Sequence, residues 1–412
     1  MKILIINRYF CELSAVETLS WKTFKDLKAR GHDVYFFATD KKPYYIENYE
    51  YAKYFPKDRF KTIEYIKNPL SYYWDTEASN KLERLLQYIR PDIAHINQPI
   101  TLSIIKVLKK YNIPIVWTLH DPSLACPAST LKMGNGQICN NYFCKNQKYI
   151  NCIKHKCQDN RIEPTVRKTI RSYFNYYVNL YKDIDLYIAP SKALKNLILN
   201  ANLGINPENI IVLNNFISYN LNYEIVKNIN KDSYFLFVGR IVEEKGIKFL
   251  LKAIKELPKE IKFKIAGTGK LNKYVKDYIS INNLSNVDFI GYVKQDEINS
   301  LYRQAIATIV PSNFFEIFGM INIESFINKT PVIGSNIGGI PEIVDDGVNG
   351  FIFDVGDVKK LKEHILTYWN NLDLALEHGE NGYQKTIEKY MIETHMNKLV
   401  EIYKNLNNKK EI

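Results

Sequence analysis

Short blocks of uninterrupted apolar residues alternate along this chain with longer stretches in which apolar residues recur every third or fourth position. The first kind reads as a strand buried on both faces, the second as an amphipathic helix. In the first half, Ile3 to Asn7, Val34 to Ala38, Asp92 to Ile96, Ile113 to Leu119 and Asp185 to Ala189 read as strands. Thr18 to Arg30, stopped by Gly31, reads as a helix, as does Glu77 to Ile89 with Leu82, Leu85, Leu86 and Ile89 on one face. Arg167 to Lys182 reads as an aromatic-rich helix. A second series opens at Tyr234 with the strand YFLFVGR and the helix Gly246 to Leu257, which carries Ile247, Leu250, Leu251, Ile254 and Leu257 on one face. Strands at Lys262 to Ala266, Val287 to Ile290, Ala305 to Val310 and Val332 to Gly334 follow, and Ile392 to Asn405 reads as a last helix. Repeated strand–helix units predict an α/β protein with parallel sheets covered by helices on both faces.

At 412 residues the chain exceeds what one core usually serves. Two domains are expected, 1–217 and 233–385, joined by the polar, Asn- and Lys-rich linker 218–232 and followed by a terminal segment 386–412. No apolar run is long enough to span a bilayer. The start, MKILIIN, is too short for a signal peptide and is soon interrupted by Arg8 and Glu12, so it reads as a buried strand. A cytoplasmic protein is the expectation. The net charge of +12 admits nucleic acid, an anionic membrane surface or small anionic substrates as partners, or a lysine-rich composition with no partner at all. No nucleic-acid-binding motif is present, so nucleic acid is not expected.

The chemistry concentrates at Pro311 to Pro331, PSNFFEIFGMINIESFINKTP. A strand feeds this segment, and a helix is expected to start near Gly319. Glu316 then stands in the loop, and Glu324 about 7 Å along the helix axis. A helix N-terminus offers free N–H groups and partial positive charge to a phosphate. The two carboxylates can accept hydrogen bonds from hydroxyls on either side of it, as in a sugar–diphosphate–nucleoside. Arg240 and Lys245 follow the strand YFLFV, where α/β sheets bind ligands, and Gly239 precedes them. Two cations there can neutralise a diphosphate leaving group. Gly267 and Gly269 follow the next strand, and His120 ends the strand IVWTLHD.

With the PS before it and the FG after Glu316, the Glu-x7-Glu segment resembles that of the retaining glycosyltransferases of family 4, also called group 1. GR…EKG around Arg240 and Lys245, AGTG at Ala266 to Gly269, and GG-x-PE at Gly338 to Glu342 carry the same resemblance. It implies a GT-B fold, two Rossmann-like domains with parallel sheets facing a central cleft, the first binding an acceptor and the second a UDP-, GDP- or ADP-sugar. The last helix would cross back to the first domain. Glu316 would orient the donor sugar, Glu324 the ribose, Arg240 and Lys245 the departing diphosphate, and His120 the sugar near the reacting centre. The backbone through Phe318, Gly319, Met320 and Ile321 would complete the phosphate cradle. Transfer of a hexose with retention would pass through an oxocarbenium-like state, with attack on the face the phosphate leaves and no catalytic metal. The implied acceptor is a glycan or lipid-linked sugar used in cell-surface polysaccharide synthesis at the inner membrane face. Two other functions share such a fold, a nucleotide-sugar epimerase and a non-catalytic nucleotide-sugar-binding partner. One departure stands out: where the family carries a Gly-Gly pair before a Glu, this chain has Ser14-Ala15-Val16-Glu17. His95 in PDIAHIN matches another family histidine and reads as pocket wall or structural. Asp183 and Asp185 form an Asp-x-Asp that opens a strand and reads as incidental.

An insertion at 126–157 holds Cys126, Cys139, Cys144, Cys152 and Cys157, with His155 among them. The last four cysteines have the spacing C-x4-C-x7-C-x4-C. A structural zinc on Cys139, Cys144, Cys152 and Cys157 is one reading; free thiols in a packed loop, or disulfides, are the others.

Overall fold

The computed structural model describes residues 1–7, 15–38, 74–98, 100–139, 144–219 and 227–408. Ser14, Arg8 and Glu12, residues 140–143 of the cysteine segment, 220–226 of the expected linker and 409–412 lie outside the described residues. Contacts group 1–190, 194–213 and the chain from Met396 onward into one unit, and 191–193 with 214–395 into a second.

In the first unit, six strands lie in the order β2-β1-β3-β4-β5-β6. They are β1 (Lys2–Asn7), β2 (Asp33–Ala38), β3 (Ile93–Ile96), β4 (Ile115–Thr118), β5 (Leu186–Ala189) and β6 (Ile210–Val212). Ile3 pairs in parallel with both Val34 and Ile93, so β1 is central and its Ile3 to Ile6 are fully buried. The solid apolar blocks are what a sheet covered on both faces requires. In the second unit the order is β12-β11-β10-β7-β8-β9, with β7 (Tyr234–Val238), β8 (Lys262–Ala266), β9 (Val287–Gly291), β10 (Ala305–Val310), β11 (Val332–Ser335) and β12 (Gly350–Phe353). The chain builds outward from β7 through β8 and β9, then returns to the other side of β7. The helix Ile247–Lys255 buries Ile247, Leu250, Leu251 and Ile254, as its periodicity predicts.

One helix differs from the sequence reading. The helix expected over Arg167 to Lys182 runs from Ile162 to Tyr177. Its start is set by Pro164 in the first turn, where no N–H is needed. Its end comes before Asn179, whose left-handed φ of 53° breaks the helix ahead of a short 3₁₀ turn at Leu180–Asp183. The Asp-x-Asp that follows is engaged in structure: Asp183 pairs with Lys106 at 2.7 Å, and Asp185 accepts the Ile115 amide at 2.8 Å.

The end of the helix Ile392–Asn408 folds into the first unit. Tyr403 is fully buried there, its hydroxyl 2.5 Å from His95 Nδ1, while His95 Nε2 lies 2.7 Å from Thr118 Oγ1. His95 thus spends both ring nitrogens on internal partners. Among the described residues no helix is long and apolar enough to cross a membrane.

Lys227 is half-buried in the second unit, with its Nζ turned inward. Its Nζ donates to Ala305 O at 2.7 Å and Thr330 Oγ1 at 2.6 Å. Burial pulls its pKa from 10.5 down to about 7. Between those values the unfolded chain holds a proton that the folded chain releases, so this group makes stability rise with pH. The Tm of the wild type relative to Lys227→Met is expected to climb from pH 7 to about pH 10. A difference that stays flat across that range in calorimetric scans would show that Lys227 keeps its proton when buried.

Candidate functional site

In the second unit Thr308 of β10 pairs with Leu236 of β7, and Val238 of β7 with Ala266 of β8. The carboxyl ends of the three strands therefore stand level. The reversal of strand order between β7 and β10 opens the crevice in which α/β sheets hold ligands. The loops that leave these strands carry Gly239, Arg240 and Lys245, then Gly267 and Gly269, then Glu316 and Gly319.

Glu316 is 7% exposed, and its Oε1 takes Lys245 Nζ at 2.5 Å and Ser312 Oγ at 2.7 Å. Ser335 Oγ in turn donates to Ser312 O at 2.7 Å. Lys245 also lies over the Phe314 ring, 4.8 Å from its centroid. A nearly buried ion pair with a further donor on the carboxylate is held far more firmly than a surface pair. Arg240, one loop away, is exposed and has no side-chain partner among the described residues. The two cations are therefore unlike: one is locked to a carboxylate, the other stands in solvent.

Backbone packing fixes the loops. A Cβ at Gly246 would stand 1.7 Å from Pro311 O, so the Lys245 turn can approach the Glu316 loop only with glycine there, and its φ of 69° asks for glycine as well. Gly339 N donates to Glu316 O at 2.7 Å, and a Cβ at Gly338 would stand 2.1 Å from the same oxygen. The glycine pair thus braces Glu316 from behind. Glu342 faces elsewhere and accepts the amides of Lys192 and Ala193 at 2.8 and 2.7 Å.

Gly319, at φ 96°, caps the helix Met320–Ile327. Phe318 is buried at 2% exposure beneath this turn, and Ile321 reaches within 3.5 Å of where a Gly239 side chain would begin. Glu324 is half-buried and accepts the Tyr302 hydroxyl at 3.2 Å. Burial, reinforced by this carboxylate, pushes the Tyr302 hydroxyl well above its ordinary pKa, so it remains a donor. Two buried oxygens beside this loop, Asn313 Oδ1 and Asn322 Oδ1, have no partner among the described residues. Sequence reasoning missed Tyr302 and both asparagines. Ser312 was visible in the PS pair.

The first unit holds its own cavity of about 370 Å³, whose wall includes Asn97, Trp117, His120, Asp121, Arg171 and Tyr181. His120 Nε2 lies 3.3 Å from Asn97 Oδ1, and Asn97 Nδ2 is buried with no partner among the described residues. Val16, from the stretch that departs from Gly-Gly, also lines it. Glu17 turns away to accept Gln98 Nε2 at 2.7 Å. Of the cysteines, Cys126 and Cys152 are buried, and Cys139, Cys144 and Cys157 are half-buried. Among the described residues no group of three or more His, Cys, Asp or Glu is arranged as a ready metal site.

Comparison with known proteins agrees with this architecture. Residues 16–221 match the family model for glycosyltransferase family 4, and residues 222–385 the model for glycosyl transferases group 1. The two parallel six-stranded sheets are those of the GT-B fold. The chain belongs to glycosyltransferase family 4, group 1. An uncharacterized glycosyltransferase of Methanocaldococcus jannaschii is 36% identical over 212 residues, 52% of this chain and 56% of the relative. The capsular polysaccharide biosynthesis glycosyltransferase CapM of Staphylococcus aureus is 27% identical over 259 residues, 57% of this chain and 67% of the relative. Matches of this kind span about half to two thirds of the curated relatives' length. Among solved structures, HepE of Anabaena in complex with UDP aligns over 98% of this chain and 100% of its own, with a TM-score of 0.68 and 18% identity.

Gly347→Ala and Gly246→Ala place a side chain at similar left-handed φ in the same unit, but only the second meets backbone. The first is expected to cost about 1–2 kcal/mol, the second about 3 kcal/mol or more. Chemical denaturation of the two variants decides it: equal losses would mean that the Pro311 loop yields and does not hold Lys245 in place.

Proposed function

We propose that the chain transfers a hexose, with retention of anomeric configuration, from a nucleoside-diphosphate sugar to a glycan or lipid-linked acceptor in cell-surface polysaccharide assembly. The observation that carries this reading is the Lys245–Glu316–Ser312 cluster beside the Gly319 helix start, where strand order reverses. A carboxylate that already takes a cation and a hydroxyl on one oxygen still has lone pairs to accept from sugar hydroxyls. The helix N-terminus and the solvent-facing Arg240 suit a diphosphate. Glu324, one turn further along the same helix and hydrogen-bonded by Tyr302, takes the ribose hydroxyls in this reading, a role that rests on the family resemblance.

In the proposed step the bond from the anomeric carbon to the diphosphate oxygen lengthens first. Arg240, Lys245 and the backbone N–H groups of Gly319 and Met320 stabilise the charge that gathers on the leaving phosphate. The acceptor hydroxyl attacks from the face the phosphate vacates and gives its proton to that phosphate. Glu316 orients the sugar throughout, and His120 contacts it near the reacting carbon, a role that rests on the family resemblance. The acceptor side draws support from the cavity beside His120, whose lining combines Trp117 and Tyr181 with the polar Asn97, Asp121 and Arg171. UDP in the HepE complex favours a UDP-sugar, and the name of CapM favours a polysaccharide pathway.

Nucleotide release from a panel of UDP-, GDP- and ADP-sugars tests the reading. One donor is expected to turn over slowly without acceptor. Glu316→Gln should lower kcat by about 10²-fold or more, and Glu324→Gln should raise the donor KM about tenfold with kcat nearly kept. A panel with neither turnover nor a thermal shift would remove the donor site. Conversion of the sugar without nucleotide release would point to epimerisation.

A further inference from the structure

Glu324 lies one turn into the helix Met320–Ile327. Its neighbours Ile323, Phe326 and Ile327 are fully buried, whereas Glu324 itself is half-buried. A glutamate carboxylate sits at the end of three rotatable bonds, and left to itself it samples several positions. Contacts from the neighbouring helix Gln295–Gln304 remove that freedom.

Asn299, Tyr302 and Arg303 of that helix stand three and four residues apart, on one face. Tyr302 is fully buried, its ring in an apolar cluster with Tyr234, Leu236, Ala266, Ile298 and Ala305. Its hydroxyl donates to Glu324 Oε2 at 3.2 Å and has no other partner among the described residues. Asn299 and Arg303 hold the backbone of the same glutamate through Asn328. Asn328 Nδ2 donates to Glu324 O at 2.9 Å and to Asn299 Oδ1 at 3.0 Å, while Asn328 Oδ1 accepts Arg303 Nε at 3.1 Å. The Tyr302 backbone is pinned in turn, because Thr330 Oγ1 and Lys227 Nζ donate to its carbonyl at 2.6 and 3.4 Å. Tyr302 therefore cannot follow the carboxylate; the carboxylate comes to Tyr302.

We propose that Tyr302 is the positioning residue for ribose recognition, its O–H holding the Glu324 carboxylate in the orientation that accepts a ribose hydroxyl. The inference rests on the donor reading above, in which Glu324 takes the ribose. A hydroxyl buried among apolar side chains is costly without an acceptor, so this bond is maintained when the site is empty. A carboxylate has about four lone-pair sites, of which the bond takes one. The carboxylate is thereby oriented before a nucleotide arrives, and binding does not have to order it. A tyrosine serves here where a lysine would not. It donates without carrying charge, so it fixes the carboxylate without neutralising it, and the carboxylate keeps the strong acceptance of an anion. Glu316, by contrast, is held by the Lys245 ammonium. The two glutamates are thus oriented by different means, one by a cation and one by a neutral hydroxyl.

Calorimetric binding of UDP, GDP and ADP to the full chain identifies the nucleotide, and its 2′-deoxy and 3′-deoxy forms then test the proposal without acceptor or turnover. Wild type is expected to bind at least one deoxy form about tenfold more weakly than the ribonucleotide. Tyr302→Phe keeps the buried ring and removes one oxygen. It should weaken the ribonucleotide about three- to tenfold and that deoxy form hardly at all, so that the ratio between them contracts. Loss of folded protein would lower the binding stoichiometry and leave the ratio alone. Glu324→Ala should bring the ratio to about one, and adding Tyr302→Phe to it should change nothing more. A wild-type ratio kept intact in Tyr302→Phe overturns the role of Tyr302 and leaves the donor reading standing. A ratio kept intact in Glu324→Ala removes the ribose contact, and the role of Tyr302 with it. Failure of all three nucleotides to bind wild type removes the donor site and this role together.

Discussion

The chemistry of the second unit depends on one constraint, that β10 lies parallel beside β7 although two other strands separate them in the chain. A strand added at the far edge would have carried the Glu316 loop away from Lys245. Returning to β7 sets two loops side by side that are 71 residues apart in sequence. Strand pairing alone does not finish the task. The Gly246 and Gly338 contacts bring backbone to backbone, and only then can Lys245 Nζ reach the Glu316 carboxylate and Ser312 complete it. Removing one member of such a pair leaves the other charge poorly solvated, which makes the arrangement all-or-none.

The same unit separates rigid charge from adaptable charge. Glu316 and Lys245 are screened from water and braced by Ser312 and the glycine pair. Arg240 stays exposed on a loop whose side chain has room to move. An anion entering such a site meets one cation already oriented and another able to follow it. The oxygens of Asn313 and Asn322, which have no donor among the described residues, add a second asymmetry, because a buried acceptor without a donor is costly until something supplies one.

Much of this was legible in the sequence, and unevenly so. Strands buried on both faces announced themselves as solid apolar blocks, and the helix after Gly246 by its repeat of apolar residues. Family motifs brought Glu316, Glu324, Arg240 and Lys245 to notice, and the structure places Glu316 against Lys245. What escaped was whatever depends on distant partners. Tyr302 looks like any helix tyrosine until its hydroxyl is found on Glu324. The short strand Gly350–Phe353 gives too few apolar residues to stand out, and it exists because β11 offers an edge to pair with. The helix near Ile162 began earlier than its aromatic stretch suggested, because a proline favours a first turn.

The pairing of His95 with Tyr403 spans 308 residues of sequence. Ribosomal synthesis delivers β1 through β6 long before the final helix leaves the exit tunnel. Until then one nitrogen of His95 has no Tyr403 to meet, and the apolar seat of Met396, Leu399 and Tyr403 is bare. The first unit to be made is thus among the last to be finished. A nascent chain carries that seat uncovered for the whole time the second unit is being translated, and exposed apolar surface of this kind favours sticking to neighbours.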